Sequence, residues 1–182
     1  MENQQDNGPD IRKTVDDDKS ILKKIQLLIP GFRGYRQKED IRAADEILRS
    51  EIGKIMIGAL SSLNNSRQSA INFNKFGALN FIGNSISSVE TLQGDIVHGQ
   101  QGYSGLVASV KVTDEVLNKL YEYDYEYVSK CKEIADLCSK VENVGAMNDN
   151  DVLNSLNNIM TLVNDARKVW TTRMETVEGI KE

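Results

Sequence analysis

The chain reads as an all-α protein, an antiparallel helical bundle with a long, coiled-coil-like αα-hairpin towards its C-terminal end. Three observations predict this. Apolar residues recur at steps of three and four along most of the sequence, the period of a helix with one buried face. Only two prolines and four phenylalanines occur in 182 residues, which disfavours a loop-rich β fold. Two long apolar seams in the last third are joined by a connection short enough to force an antiparallel return.

The elements follow in chain order. Residues 1–18 hold six acids against Arg12 and Lys13, and offer little apolar surface to bury. That composition predicts a disordered acidic tail. Residues 19–36 are read as a short amphipathic helix and a corner. In SILKKIQLLIP, residues Ile21, Leu22, Ile25, Leu28 and Ile29 keep helical spacing, Ser20 offers a cap, and Pro30 ends the run. In PGFRGY, Gly31 and Gly34 supply backbone freedom, with positive φ expected at one of them. The rings of Phe32 and Tyr35 are expected to pin the bend to the bundle.

Residues 37–182 are read as the bundle proper. A helix from about Gln37 puts Ile41, Ala44, Leu48, Ile52, Ile55, Ala59 and Leu63 on one face. Gly53 and Gly58 weaken it by roughly 1 kcal/mol each relative to Ala, or permit close helix contact. Asn64, Asn65 and Ser66 either interrupt this helix or let it run to about Phe73. The next helix carries Leu79, Ile82, Ile86, Val89, Leu92 and Ile96 and stops at Gly99. The glycine-rich stretch HGQQGYSG is then a turn, with Gly102, Tyr103 and Gly105 as a second structural corner.

The hairpin is assigned to residues 113–178. Thr113 is the expected N-cap, and the first seam runs through Leu117, Leu120, Asp124, Tyr127, Cys131, Ile134, Cys138 and Val141. Gly145 is expected to stop it. After a short loop to Asp149, the second seam runs through Val152, Leu156, Ile159, Val163, Ala166, Trp170 and Val177. Arg173 interrupts that seam, so the packing is expected to fray there or to shift to Met174. YEYDYEYV (121–128) alternates like a strand, but its flanks keep the helical period and helix is the reading.

Asp124 stands inside the first seam. It is either a polar position that sets helix register, or a buried acid that meets a basic partner such as Arg173 or an arginine of the corner. Other carboxylate pairs, Glu122 with Glu126 and Asp45 with Glu46, read as solvated helix faces.

Charge divides the chain. The net charge is −5, which disfavours a duplex-DNA binder. Residues 19–42 are the basic exception, with seven cations against Glu39 and Asp40. Arg33, Arg36, Lys38 and Arg42 are expected to form a small basic surface there for a partner. No run approaches the roughly 18 apolar residues of a membrane span. The start, MENQQDNGPD, lacks the basic and apolar regions of a secretory signal. The two cysteines, Cys131 and Cys138, are two helical turns apart on one seam and read as core residues with reduced thiols. A cytoplasmic chain is therefore expected.

Nothing in the sequence assembles catalytic chemistry. His98 is the single histidine and has no metal-ligand spacing around it. GYSG around Ser104 lacks the strand–turn–helix context of a nucleophile elbow. No glycine-rich run precedes a Lys-Ser/Thr pair. No catalytic residue, metal, cofactor or small-molecule substrate is assigned.

The blocks PGFRGYRQKEDIRAADEILR (30–49), GYSGLVASVKV (102–112) and LNKLYEYD (117–124) resemble an uncharacterised prokaryotic family of small helical proteins. Its pattern is a P-G-aromatic-basic-G-Y start, a central G-Y-S/A-G turn and an L-Y-x-aromatic-D segment. Gln101 departs from it, where an aromatic is expected before Gly102. The resemblance implies that the two glycine corners belong to one architecture and that Tyr35, Tyr103 and Asp124 meet in space. It supplies no activity. The function expected is a non-enzymatic helical scaffold or adaptor for a protein partner or a second copy. The alternative is a peripheral membrane protein docking through residues 19–42.

Overall fold

The computed structural model describes residues 11–32, 38–98 and 113–179. Among them are five α-helices and no strand: α1 (Ile11–Leu28), α2 (Lys38–Asn72), α3 (Leu79–His98), α4 (Asp114–Lys140) and α5 (Asp149–Gly179). Short 3-10 turns, Phe76–Ala78 and Val144–Ala146, lead into α3 and towards α5. The fold is the expected all-α bundle with its αα-hairpin.

Two antiparallel hairpins make the bundle, α2 with α3 and α4 with α5. Helix α4 also packs on α2, α3 on α5, and α1 lies along α4. Both hairpin turns sit at the same end. There Ser66 Oγ donates to the Val141 carbonyl at 2.9 Å, Gly145 N–H donates to Ser69 Oγ at 3.2 Å, and Lys75 Nζ meets Asp149 Oδ1 at 2.8 Å.

The apolar stripes predicted from spacing are the ones buried. Ala44, Leu48, Ile52, Ala59 and Leu63 of α2 line the core, as do Ile82, Ile86, Val89, Leu92 and Ile96 of α3. Leu120, Tyr127, Cys131, Ile134 and Cys138 of α4, with Val141 at its C-cap, meet Val152, Leu156, Ile159, Val163, Ala166 and Trp170 of α5. Each fully buried branched aliphatic side chain contributes about 1.5–3 kcal/mol relative to exposure. The tyrosine-rich stretch is helical, with Tyr121 and Tyr127 inward and Tyr123 and Tyr125 half-buried.

Helix α2 runs without a break through Asn64–Asn65–Ser66, because Ser66 points inward and finds the Val141 carbonyl. It closes on Asn74, whose φ of +57° is left-handed. Lys75 N–H returns to the Ala70 carbonyl and Asn74 N–H to the Ile71 carbonyl, the pair of bonds of a Schellman end. Of the two glycines in α2, only Gly53 supports a close approach: a Cβ there would stand 3.4 Å from Val97 of α3, whereas one at Gly58 meets nothing.

Three expectations need correcting. Helix α1 begins at Ile11, inside the stretch assigned to an acidic tail. Propensity alone underrates such a segment, since extending an existing turn costs far less than nucleating one. Helix α4 ends at Lys140 rather than at Gly145, with Val141 N–H still bonded to the Leu137 carbonyl. Gly145 has a different job: a Cβ there would fall 2.2 Å from Phe73 Cδ2, so the glycine makes room for that ring. Finally, the second seam does not fray at Arg173, which is wholly buried, while Met174 is only partly so.

Candidate functional site

Among the described residues, charge in the interior gathers in one cluster of four side chains on three helices. Asp45 and Arg49 stand one turn apart on α2, with Arg49 Nε donating to Asp45 Oδ2 at 2.7 Å. Asp124 of α4 accepts from Arg173 Nε of α5 at 2.5 Å. Arg173 Nη1 lies 2.9 Å from Asp45 Oδ1, joining the two pairs. Arg49 Nη1 also donates to the Ile96 carbonyl at 2.5 Å, which ties in the last turn of α3. No member is more than 8% exposed.

Aromatic packing frames the cluster. The Arg49 and Arg173 guanidinium carbons lie 4.6 Å and 5.2 Å from the Trp170 ring centre. Weakly hydrated, planar guanidinium groups suit such a site better than ammonium groups would. Tyr127 also packs against Trp170, ring centres 5.1 Å apart. Burial, then the neighbouring Cys131, pushes the Tyr127 hydroxyl well above the usual phenol pKa. Burial likewise pushes the Cys131 and Cys138 thiols up to about 12. At neutral pH both are protonated, poor nucleophiles.

Two carboxylates and two guanidiniums balance, so the cluster has no net charge to offer a ligand. Its geometry can lock the relative rotation of α2, α4 and α5, because each bond requires a particular face of each helix. Of the two readings open for Asp124, it is a buried acid that meets a basic partner, and that partner is Arg173. Asp45 corrects the reading of a solvated face: it is 2% exposed, whereas Glu46, Glu122 and Glu126 are exposed. The signal that finds Asp45 is its four-residue spacing to Arg49 beside the Ala44–Leu48 stripe, an i,i+4 pair on the core side.

The first corner is partly described. Gly31 adopts φ +91°, as its type allows, Pro30 is exposed and Phe32 is 2% exposed. Gln26 Nε2 donates to the Phe32 carbonyl at 3.0 Å and fixes the bend. Gly34, Tyr35, Gly102, Tyr103 and Gly105 lie outside the described residues, as do Arg33, Arg36 and the side chains of Lys38 and Arg42. The proposed meeting of Tyr35, Tyr103 and Asp124 therefore concerns residues beyond those described.

Two concave features are formed by described residues. A groove of about 310 Å³ between α2 and α3 is lined by Ser50, Gly53, Lys54, Ile57, Gln93 and Val97, with Arg49 at its inner wall. A cleft of about 170 Å³ at the hairpin-turn end is lined by Lys75, Gly77, Ala78, Asp149 and Leu153. Among the described residues, no group of three His, Cys, Asp or Glu side chains could hold a metal ion, and no helix is long and apolar enough to cross a membrane. Comparison with family models, with curated proteins and with solved structures finds no match to this chain.

Proposed function

We propose that the chain is a non-enzymatic helical scaffold that presents its surface to a protein partner or to a second copy. The observation that carries this reading is the enclosure and neutrality of the Asp45–Arg49–Asp124–Arg173 cluster. Among the described residues, the buried charges of this cluster pair with one another across three helices. A catalytic group needs access to substrate and a pKa matched to its task; Asp45, Asp124 and Arg173 are at most 2% exposed and each pairs with an opposite charge. Buried polar networks of this kind favour one register over its alternatives, which is what a scaffold requires.

Docking on a membrane through residues 19–42 has less support. Ile25 of α1 and Ile29 just past its end are fully buried against the bundle, and Ile21, Leu22 and Leu28 pack beside them. An interfacial helix needs that face for lipid.

Cross-linking in the native source, read by mass spectrometry, tests the proposal. Recovery of the chain in a stoichiometric complex is the expected result. Recovery as the free monomer alone would overturn it.

A further inference from the structure

Arg49 aims a donor at sulfur. Its Nε and Nη1 meet the Asp45 carboxylate and the Ile96 carbonyl, and its Nη2 points to Met174 Sδ of α5 at 3.9 Å. A thioether is a weak acceptor, so this contact ties α5 to α2 loosely although its donor belongs to a full guanidinium charge. Met174 is partly exposed, whereas Met56 is wholly buried. A small oxidant in solution can therefore reach the Met174 sulfur while the core methionine is shielded from it.

Oxidation there puts a strong acceptor where the donor already points. A sulfur lone pair attacks one oxygen of hydrogen peroxide, so an S–O bond forms and the O–O bond breaks. The second oxygen leaves as hydroxide and takes the proton from the first, giving water. Sulfur loses two electrons and the peroxide gains them. With an S–O bond of about 1.5 Å and an angle of about 120° at oxygen, the 3.9 Å between Sδ and Nη2 leaves the new oxygen about 2.9 Å from Nη2, the usual N–H···O length. Of the two sulfoxide epimers, the one with oxygen on the Arg49 side makes this bond, and the unbranched methionine side chain can turn to present it.

We infer that Met174 is an oxidative modification site for hydroperoxides, whose sulfoxide bonds to Arg49 and clamps the C-terminal turns of α5 onto α2. Methionine sulfoxide ordinarily disrupts the apolar packing around it. At Met174 the sign reverses, because a weak N–H···S contact gives way to a charge-assisted N–H···O bond that needs no movement of the backbone. Arg49 also holds the Ile96 carbonyl, so the clamp joins α5 to the last turn of α3 as well. The inference goes beyond the scaffold reading and does not depend on it.

Hydrogen peroxide treatment of the folded full chain, followed by peptide mass spectrometry and urea unfolding, tests it. Met147 and Met160 are also partly exposed, so Met147→Leu/Met160→Leu serves as the background, and Met174→Leu within it controls for oxidation elsewhere. Met174 should gain one oxygen while Met56 stays a thioether. The treated background protein should then unfold at higher urea, with an unfolding equilibrium constant about tenfold lower, and the Met174→Leu control should show no such rise. Arg49→Lys keeps a cation near Asp45 but lacks the second Nη, and should turn the gain into a loss. Because that variant disturbs a buried charge, Met174→Gln provides a route without oxidant: its side-chain carbonyl reaches the same donor, and it should unfold at higher urea than Met174→Leu. The inference is overturned by a Met174 that resists oxidation, by a midpoint that stays level or falls when it is oxidised, by a gain that survives Arg49→Lys, or by a Met174→Gln midpoint at or below that of Met174→Leu.

Discussion

Arg173 Nε and Asp124 Oδ1 lie 2.5 Å apart across the α4–α5 seam, and neither side chain reaches solvent. A coiled-coil-like seam has here exchanged two apolar contacts for one enclosed ion pair, extended to α2 by Asp45. Burying charge is costly, and the exchange is tolerable only because each charge meets its opposite.

Removing one partner should therefore cost far more than removing both. Arg173→Met leaves Asp124 buried without its cation, and should lower unfolding free energy by about 3–5 kcal/mol. Arg173→Met with Asp124→Leu keeps Asp45 and Arg49 as a balanced pair and should recover most of that loss. Denaturant titrations of the wild type, both single variants and the double variant supply the coupling energy. Additive single effects would contradict the coupling.

Stability should fall in alkali through the two seam cysteines. Burial raises both thiols from the ordinary value of 9.0 to about 12. Below about pH 9 folded and unfolded chains both hold these protons, and the full stability is present. Above it the unfolded chain releases them while the folded chain keeps them, so stability declines until the folded thiols ionise near 12. The slope is roughly 1.4 kcal/mol per pH unit for each thiol. Denaturant midpoints between pH 8 and about 11 should fall for the wild type. They should fall less steeply for Cys131→Ser/Cys138→Ser, relative to that variant's own value at pH 8.

Gly145 should be irreplaceable only while Phe73 is present. A Cβ at 145 would lie within 2.2–2.6 Å of three ring carbons of Phe73, closer than real contacts allow. Gly145→Ala should cost about 1–3 kcal/mol as the ring and the turn shift. In a Phe73→Ala background the same substitution should cost a few tenths at most. Thermal unfolding of the four proteins in the cycle reads the difference.

Asn74 should improve with glycine. Its φ of +57° places a side chain in the left-handed region at the end of α2. Asn74→Gly should be neutral to stabilising by up to about 1 kcal/mol, and Asn74→Val should cost about 1–2 kcal/mol. Urea unfolding of the pair would detect a reversed order.

Much of this architecture was legible from local pattern. The α4 seam from Leu120 to Val141 and the α5 seam from Val152 to Trp170 lie where their spacing put them, and Thr113 Oγ1 accepts from Val116 N–H as an N-cap should. Helical period is written by neighbours three and four apart, so one stretch of chain carries it. Asp45 as a solvated acid and Arg173 as a fray point differ from the structure for the complementary reason, although Arg173 is also one of the partners weighed for Asp124. Periodicity scores an arginine in a seam as an exit and an acid beside a stripe as solvated, unless the opposite charge is known to stand opposite. Asp124 announced itself only as an anomaly, a carboxylate where a leucine belongs.

By itself, then, the sequence determined that the chain is helical, which faces are apolar, and that no familiar catalytic motif accompanies them. Only the tertiary structure decided that α2 packs on both α3 and α4, that charges on three helices neutralise one another inside, and that Leu27 stays outside. Helix periodicity is a local property of the chain, whereas the pairing of charges and the exposure of one leucine depend on which helices meet.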